Sequence, residues 1–514
     1  VKNTLYVLLI LLGGETMDIR ISKHGESTAL CDTAIIPFTE GIEISEGLLY
    51  LDSDVEAMIS YLVKDKIFTG KKEQIESFRL AREENPRNII LVGLGDDQCI
   101  DQETVKLAIS SAIRKAKQLK SKVIEIHQIF NSCSTSSKEM VSLVAKYTIL
   151  SDYDFGDYKA PKEDSVDILE VNILVGPDED MIILEKALDE GVMEGQSICV
   201  ARALVNEPAN IMTPTMLAEE AKKYGKEYGF DVKVMDEADI KALDMQAFLS
   251  VGKGSAEPMK LITMKYHGNP NDPEIYGLIG KGLTYDSGGY SIKPTDGMHT
   301  MKSDMGGAAA VIGAMIMVAS QKLKINVTAV VASCENMISG HAYKPGDIIG
   351  SMAGKYIEIT NTDAEGRLTL ADALTYAVKE EKATKLIDIA TLTGAAIVAL
   401  GEKVIATLSS DDDMFAQFDA ASKLASEKIW RLPLEKEYKK MLKSEVADLK
   451  NSPGRPAGTI TASLFLEEFT SGLPWVHLDI AGPSWTDKAS SLCPYGGTGA
   501  GVSLLYHFFK KSSY

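Results

Sequence analysis

The stretch 275–294, IYGLIGKGLTYDSGGYSIKP, decides the fold class because an apolar run passes directly into a glycine-rich loop crowded with charge. Ile275 to Ile279 has the length and composition of a strand hidden on both faces, as in a sheet covered by helices. The loop from Gly280 to Pro294 then carries Lys281, Asp286 and Lys293 past the carboxyl end of that strand, where α/β folds place their sites. Further apolar runs at Val327 to Ser333, Tyr356 to Ile359, Leu386 to Ile389 and Val476 to Ile480 alternate with helix-like segments. The expected class is α/β, with a larger C-terminal domain built on a central mixed sheet covered by helices on both faces.

Upstream, residues 17–178 show the same alternation on a smaller scale, with Asn88 to Gly93, Glu103 to Leu119 and Lys122 to Ile129 reading as strand, helix and strand. They are expected to form a smaller N-terminal α/β domain. Residues 179–205 read as one connecting helix, ended by Pro208 in the run Asn206 to Asn210. The catalytic domain is then expected over 206–514. Gly93-Leu94-Gly95 invites a dinucleotide reading, but the third glycine is missing and Asp96-Asp97 would repel a pyrophosphate. Residues 1–16 resemble a short signal-peptide core without a small-x-small cleavage site, and the expectation is an upstream-translated or non-native leader with Met17 as the start.

At 514 residues the chain exceeds what one core organises, and its 45% hydrophobic and 25% charged residues are those of an ordinary globular protein. A formal charge of -19 repels phosphate backbones and anionic lipid heads, so neither nucleic acid nor membrane is an expected partner. Six scattered cysteines without CxxC pairs read as reduced, mostly buried thiols of a cytoplasmic protein. The longest apolar run, Ala308 to Ala319, has the length of a core helix.

Three clusters concentrate the chemistry: Gly280 to Pro294, Met301 to Ala308, and the octet Asn361 to Leu368. In the octet, Asp363, Glu365 and Arg367 alternate with Ala364 and Gly366, so an extended backbone would aim all three side chains one way. Two carboxylates aimed at one point repel unless a cation sits between them, which favours a metal site over a solvated turn leading into a helix. Asp304 could instead cap the helix that follows it, and Lys281 and Lys293 could be surface lysines. There is no HExxH, which excludes a thermolysin-like site, and no GxSxG elbow or P-loop, so serine-hydrolase and nucleotide-triphosphatase readings lose support.

The octet resembles the signature of the leucine aminopeptidase (cytosol aminopeptidase) family. The likeness extends through Gly280 to Pro294, Asp304 to Ala308, Cys334 to Met337, Pro345 to Asp347, Ala390 to Gly394, Ala447 to Asn451 and Gly454 to Gly458. It implies two divalent ions, zinc or manganese, held by Lys281, Asp286, Asp304, Asp363 and Glu365. Four carboxylates offset two dications if Lys281 coordinates as a neutral amine. The resemblance further implies that Lys293 and Arg367 are catalytic, Arg367 holding a bicarbonate. Met301, Thr391, Leu392, Gly394 and Ala481 would line the first side-chain pocket. The implied reaction is removal of leucine or another apolar residue from peptides with a free N-terminus, by a hydroxide bridging both ions, in a homohexamer. Tyr285 and Ser484 depart slightly from the family's residues there. Two alternatives stand beside this reading: a two-metal hydrolase of another bond, such as a phosphoester, and an added architectural role on DNA.

Overall fold

The computed structural model describes residues 17–24, 31–41, 53–81, 86–96, 100–127, 136–156, 158–159 and 166–513. The leader reading of 1–16 and the end of the expected strand Lys122 to Ile129 lie outside these. The chain packs as two compact units: the residues up to Gln196 with Lys488–Pro494, and Ser197–Asp487 with the residues after Pro494. The division falls inside the helix Met181–Asn206, so each unit takes part of the segment expected as the connector.

In the first unit, β1 (Asp18–Lys23), β2 (Thr33–Thr39), β3 (Ile75–Arg79), β4 (Asn88–Gly95), β5 (Val123–Ile126) and β6 (Glu170–Val175) form a sheet in the order β1-β6-β5-β2-β4-β3. It is parallel except for β3, which pairs antiparallel with β4. A Cβ at Gly93 would run into the Lys71 carbonyl oxygen, so close backbone approach accounts for a glycine that resembled part of a phosphate loop.

The second unit holds β7 (Asp231–Met235), β8 (Lys260–His267), β9 (Tyr276–Asp286), β10 (Asn326–Asn336), β11 (Ile348–Ile349), β12 (Ile357–Glu358), β13 (Lys385–Ala390), β14 (Val404–Ser409), β15 (Lys428–Arg431), β16 (Leu449–Lys450) and β17 (Trp475–Asp479). Eight of them build a mixed sheet in the order β15-β14-β17-β13-β9-β10-β8-β7. Its middle, β17-β13-β9-β10, is parallel, and antiparallel pairings flank it on both sides. From β9 the chain returns first on the β10 side and later on the β13 side, so β9 marks the switch point where α/β sheets open a crevice.

Strand β9 continues to Asp286, seven residues past the expected end at Ile279. The glycines that resembled loop residues are there because neighbours crowd the strand. A Cβ at Gly280 would lie 2.9 Å from the Ala308 Cα in the helix Gly306–Ser320, and one at Gly277 would lie 3.5 Å from the Ala377 Cβ in the helix Gly366–Lys379. Residues 277 and 280 point to opposite faces of a strand, so these two contacts show a helix on each face. The helical stretch Thr295–Ser320 is apolar and long enough to cross a membrane by composition, and 94% of its most apolar 18 residues are buried in the fold. It is three joined pieces, however, and its α-helix proper, Gly306–Ser320, has 15 residues, or about 22 Å at the usual rise. The four described cysteines, Cys31, Cys199, Cys334 and Cys493, are buried and form no disulfide among the described residues.

A helix approaches two strands closely at Gly307, where a Cβ would strike the Ile389 carbonyl oxygen and the Lys281 backbone nitrogen. Gly307→Ala is therefore expected to cost about 1–3 kcal/mol of stability in urea denaturation, as overpacked cores do. Gly340→Ala, where a Cβ meets nothing within 4 Å, should stay within about 0.5 kcal/mol. Equal effects at the two positions would refute this account of the packing.

Candidate metal centre

Lys281 and Asp286 project from β9, and the loop after it brings Lys293. Met301 and Asp304 ride on the 3-10 segment His299–Met305. The octet is not extended: Thr362 and Asp363 form a turn, Glu365 has α backbone angles, and Arg367 already lies in the helix Gly366–Lys379. Carboxylate convergence thus comes from a turn entering a helix. That turn is far from solvated, since Thr362, Ala364, Glu365 and Arg367 are buried. Gly366 is small for a reason: a Cβ there would lie 2.7 Å from Lys281 Nζ. Asp304 caps nothing, because the helix Gly306–Ser320 starts without a side-chain cap and the carboxylate turns to Lys281 instead.

Two lysines and four carboxylates meet here. Lys281 Nζ lies 2.8 Å from Asp304 Oδ1 and 2.9 Å from Glu365 Oε1, and donates to the Thr391 carbonyl at 3.0 Å. Lys293 Nζ lies 2.7 Å from Asp286 Oδ2 and 2.6 Å from Asp363 Oδ1. One oxygen from each of Asp286, Asp363 and Glu365 fits within 4.8 Å. Lys281, Asp286, Asp304 and Glu365 are buried, whereas the Asp363 side chain keeps 34% of its surface. The surface-lysine reading fails for Lys281 and leaves Lys293 half-buried.

Burial first, then the neighbouring carboxylate of Glu365, pushes the Asp286 carboxyl up to about 6 from an ordinary 3.8. Asp304 is pushed up to about 7, again chiefly by burial. Asp363 is raised for the same reason, with Glu365 adding to it. Burial also opposes ionisation of Glu365, but Lys281 and Lys293 outweigh it and hold that carboxyl low. For Lys281 burial works against the charge, and Asp304, Glu365 and Asp286 overcome it and raise its pKa. The neutral amine that the family resemblance implies therefore requires bound cations to replace that field. Asp304 Oδ2 and Glu365 Oε2 are buried without a hydrogen-bond partner among the described residues. Orphaned carboxylate oxygens beside a tight acidic trio are what oxygen-ligated divalent ions satisfy, so the residue set fits such ions.

Several residues outside the expected set hold this arrangement. Asn336, at the end of β10, donates to Asp286 Oδ1 at 2.8 Å and to the Thr362 carbonyl at 3.0 Å. Thr362 Oγ1 donates to the Gly288 carbonyl at 2.7 Å and accepts from Ser291 N at 2.8 Å, tying the β9 loop to the octet. That closeness needs the left-handed glycines Gly288 and Gly289, since a Cβ at Gly288 would meet Asp363 Oδ1 at 2.8 Å. Asn451 accepts from Thr360 N at 2.9 Å and donates to the Asn361 carbonyl at 2.6 Å, while its own carbonyl accepts from Arg367 Nη1 at 2.7 Å. Burial lowers the Arg367 pKa to about 10, and its Nε has no partner among the described residues.

Of the expected pocket residues, Thr391 reaches the centre directly, donating to Asp304 Oδ1 at 2.8 Å. Leu392 and Ala481 both donate backbone N–H groups to Asp479, at 3.2 and 3.1 Å. Gly394 opens the exposed start of the helix Gly394–Leu400, and Met301 sits three residues before Asp304. Asp388, His477 and Asp479 lay unnoticed inside apolar strands. Their signal was that contrast itself, an ionisable residue in a run with no exposed face.

Residues 199–506 match the model of the cytosol aminopeptidase family, catalytic domain, and residues 35–162 match that family's N-terminal domain. The chain is 48% identical over 499 residues to a probable cytosol aminopeptidase of Clostridium perfringens, covering 96% of this chain and 98% of that one. It is 42% identical to a probable cytosol aminopeptidase of Alkaliphilus oremlandii, covering 96% and 99%. Among solved structures it resembles a mutant of tomato leucine aminopeptidase, with TM-score 0.86 and 33% identity over 97% of each chain. It also resembles the bottromycin maturation enzyme BotP in complex with Mn, with TM-score 0.83 and 31% identity over 94% of this chain and 100% of that one.

Carboxyls raised in the folded state bind extra protons between about pH 4 and about pH 7, so their contribution to stability is lost as pH rises through that window. Chelator-treated protein should accordingly melt at progressively lower temperature from pH 5 to pH 8. Added Zn²⁺ or Mn²⁺ should reverse the trend and release protons near pH 6. A melting temperature indifferent to both pH and metal would contradict the electrostatics described.

Proposed function

Because this chain belongs to the cytosol aminopeptidase family, whose members are metal-dependent aminopeptidases, we propose that it removes leucine or another apolar residue from peptides with a free N-terminus. The observation that supports the metal-dependent part of this reading is the convergence of four carboxylates and two lysines, with oxygens of Asp304 and Glu365 left unpaired among the described residues. Lys281, Asp286, Asp304, Asp363 and Glu365 would hold two divalent ions, zinc or manganese. When bound, such a pair supplies a hydroxide at neutral pH and polarises the scissile carbonyl.

The chain's own groups divide the remaining tasks. The Lys293 ammonium, kept charged against burial by Asp286 and the neighbouring carboxylates, would donate to the oxygen that gains charge as the carbonyl is attacked. Arg367 stays cationic at neutral pH, and its buried Nε, without a partner among the described residues, would hold a small anion, a bicarbonate in this reading, which would supply a proton relay when bound. Met301, Thr391, Leu392, Gly394 and Ala481 would line the pocket for the first side chain. We further propose residues 206–514 as the catalytic domain, a cytoplasmic location and a homohexameric assembly.

Hydrolysis of leucine p-nitroanilide tests the core of this. Activity should vanish on exhaustive chelation and return on adding Zn²⁺ or Mn²⁺, whereas persistence through chelation would defeat the metal reading. Lys293→Met should lower kcat by about 10²–10³-fold with two metals still bound, as loss of an oxyanion donor does. Light scattering should give six chains per particle, and an active monomer would overturn that part.

A further inference from the structure

Behind the metal centre the loop Thr391–Gly394 is anchored on two sides. On one, Thr391 gives its carbonyl to Lys281 Nζ at 3.0 Å and its hydroxyl to Asp304 Oδ1 at 2.8 Å. On the other stands a single carboxylate, Asp479, at the last position of β17. Its Oδ1 accepts from Leu392 N at 3.2 Å, Thr393 N at 3.4 Å and Ala481 N at 3.1 Å. Its Oδ2 accepts from Thr393 Oγ1 at 2.6 Å. One buried group thus fastens the loop after β13 to the loop after β17, and these two loops bear four of the five residues assigned to the substrate pocket.

From this geometry we infer that Asp479 is a positioning residue for substrate selection, locking the two pocket loops in register with the metal-holding residues Lys281 and Asp304. The inference rests on the aminopeptidase reading and deepens it.

A fully buried carboxylate persists only where charge and hydrogen bonds compensate it. His477 lies two residues earlier on the same face of β17, its Nδ1 2.6 Å from Asp388 Oδ1, while Trp475 Nε1 donates to Asp388 Oδ2 at 2.7 Å. All four side chains are sealed from solvent. Burial works against a charged His477, and Asp388 and then Asp479 outweigh it and raise its pKa. Burial raises the Asp479 carboxyl in turn, and His477 and the four donated hydrogen bonds work against that rise, so the group depends on the neighbours that surround it. An amide at 479 could still accept from the backbone donors, but it would lose the carboxylate form that His477 favours, and it would offer a donor where Thr393 Oγ1 now donates.

Asp479→Asn and Thr393→Val test this against wild type, using p-nitroanilides of leucine, alanine and glycine, metal analysis and amide hydrogen exchange. Both variants should keep two metals per chain. For the leucine substrate KM should rise about tenfold with kcat lowered less than about threefold, and the preference for leucine over glycine should shrink by a similar factor, the signature of lost uniform binding. Exchange at the Leu392, Thr393 and Ala481 amides should accelerate. Unchanged KM and leucine-to-glycine ratio in a folded Asp479→Asn protein, or an equal loss on all three substrates, would overturn the inference. Thr393→Val removes one hydroxyl and keeps the test open if Asp479→Asn misfolds. Inactive wild type would sink the aminopeptidase reading instead, and exchange at the three amides would still decide whether Asp479 ties the loops.

Discussion

Four carboxylates crowded into one largely buried volume set the terms for the rest of the molecule. With an oxygen from each of Asp286, Asp363 and Glu365 within 4.8 Å of the others, like charges in a low-dielectric interior repel strongly, and interleaved positive charge makes the arrangement tolerable. The fold supplies two ammonium groups, Lys281 and Lys293, each straddling a pair of acids. Two dications would answer the same repulsion with twice the charge and would also satisfy the oxygens that the lysines leave unpaired. Lys281 is then the pivotal group, because the field that now keeps it protonated is the field that bound cations would cancel.

That crowding explains the placement of glycines and amides around the centre. Gly366 makes room for the Lys281 side chain, Gly307 for its backbone, and Gly288 for the Asp363 carboxylate. Asn336 and Asn451 do the complementary work of holding loop backbone whose polar groups would otherwise be stranded inside the protein. Repulsive side chains are brought together because the chain around them is tied down by groups that carry no charge.

Much of this was legible in the sequence, for physical reasons that also mark where legibility stopped. Apolar runs without polar alternation announced a helix-covered sheet, and Leu386 to Ile389 and Val327 to Ser333 fall inside β13 and β10. The end of β9 was missed because Gly280 and Gly282 resemble loop residues, when in fact they admit a helix and a neighbouring strand. The octet was read as carrying convergent carboxylates on an extended backbone; they do converge, but through a turn entering a helix, a distinction that residue spacing cannot make because both conformations can bring i and i+2 near one point. The tie from Asp479 to Leu392 and the clamps at Asn336 and Asn451 depend on contacts between residues 26 to 91 positions apart in the chain, which no local pattern encodes.

The charges hidden in β13 and β17 raise a different question, since replacing buried ion pairs by well-packed apolar residues is often neutral or stabilising. Stability alone therefore does not explain Asp388, His477 and Asp479 in strands that are otherwise apolar. Geometry does: hydrophobic packing fixes volume but not direction, whereas a carboxylate accepting three N–H groups and a hydroxyl constrains both the position and the orientation of the segments that donate them. A site that must hold a peptide terminus in register with a nucleophile needs tolerances near half an ångström. Directional bonds at the back of the pocket provide that where close packing would not, and their cost in desolvation is borne by the 15-residue apolar helix and the sheet that surround them.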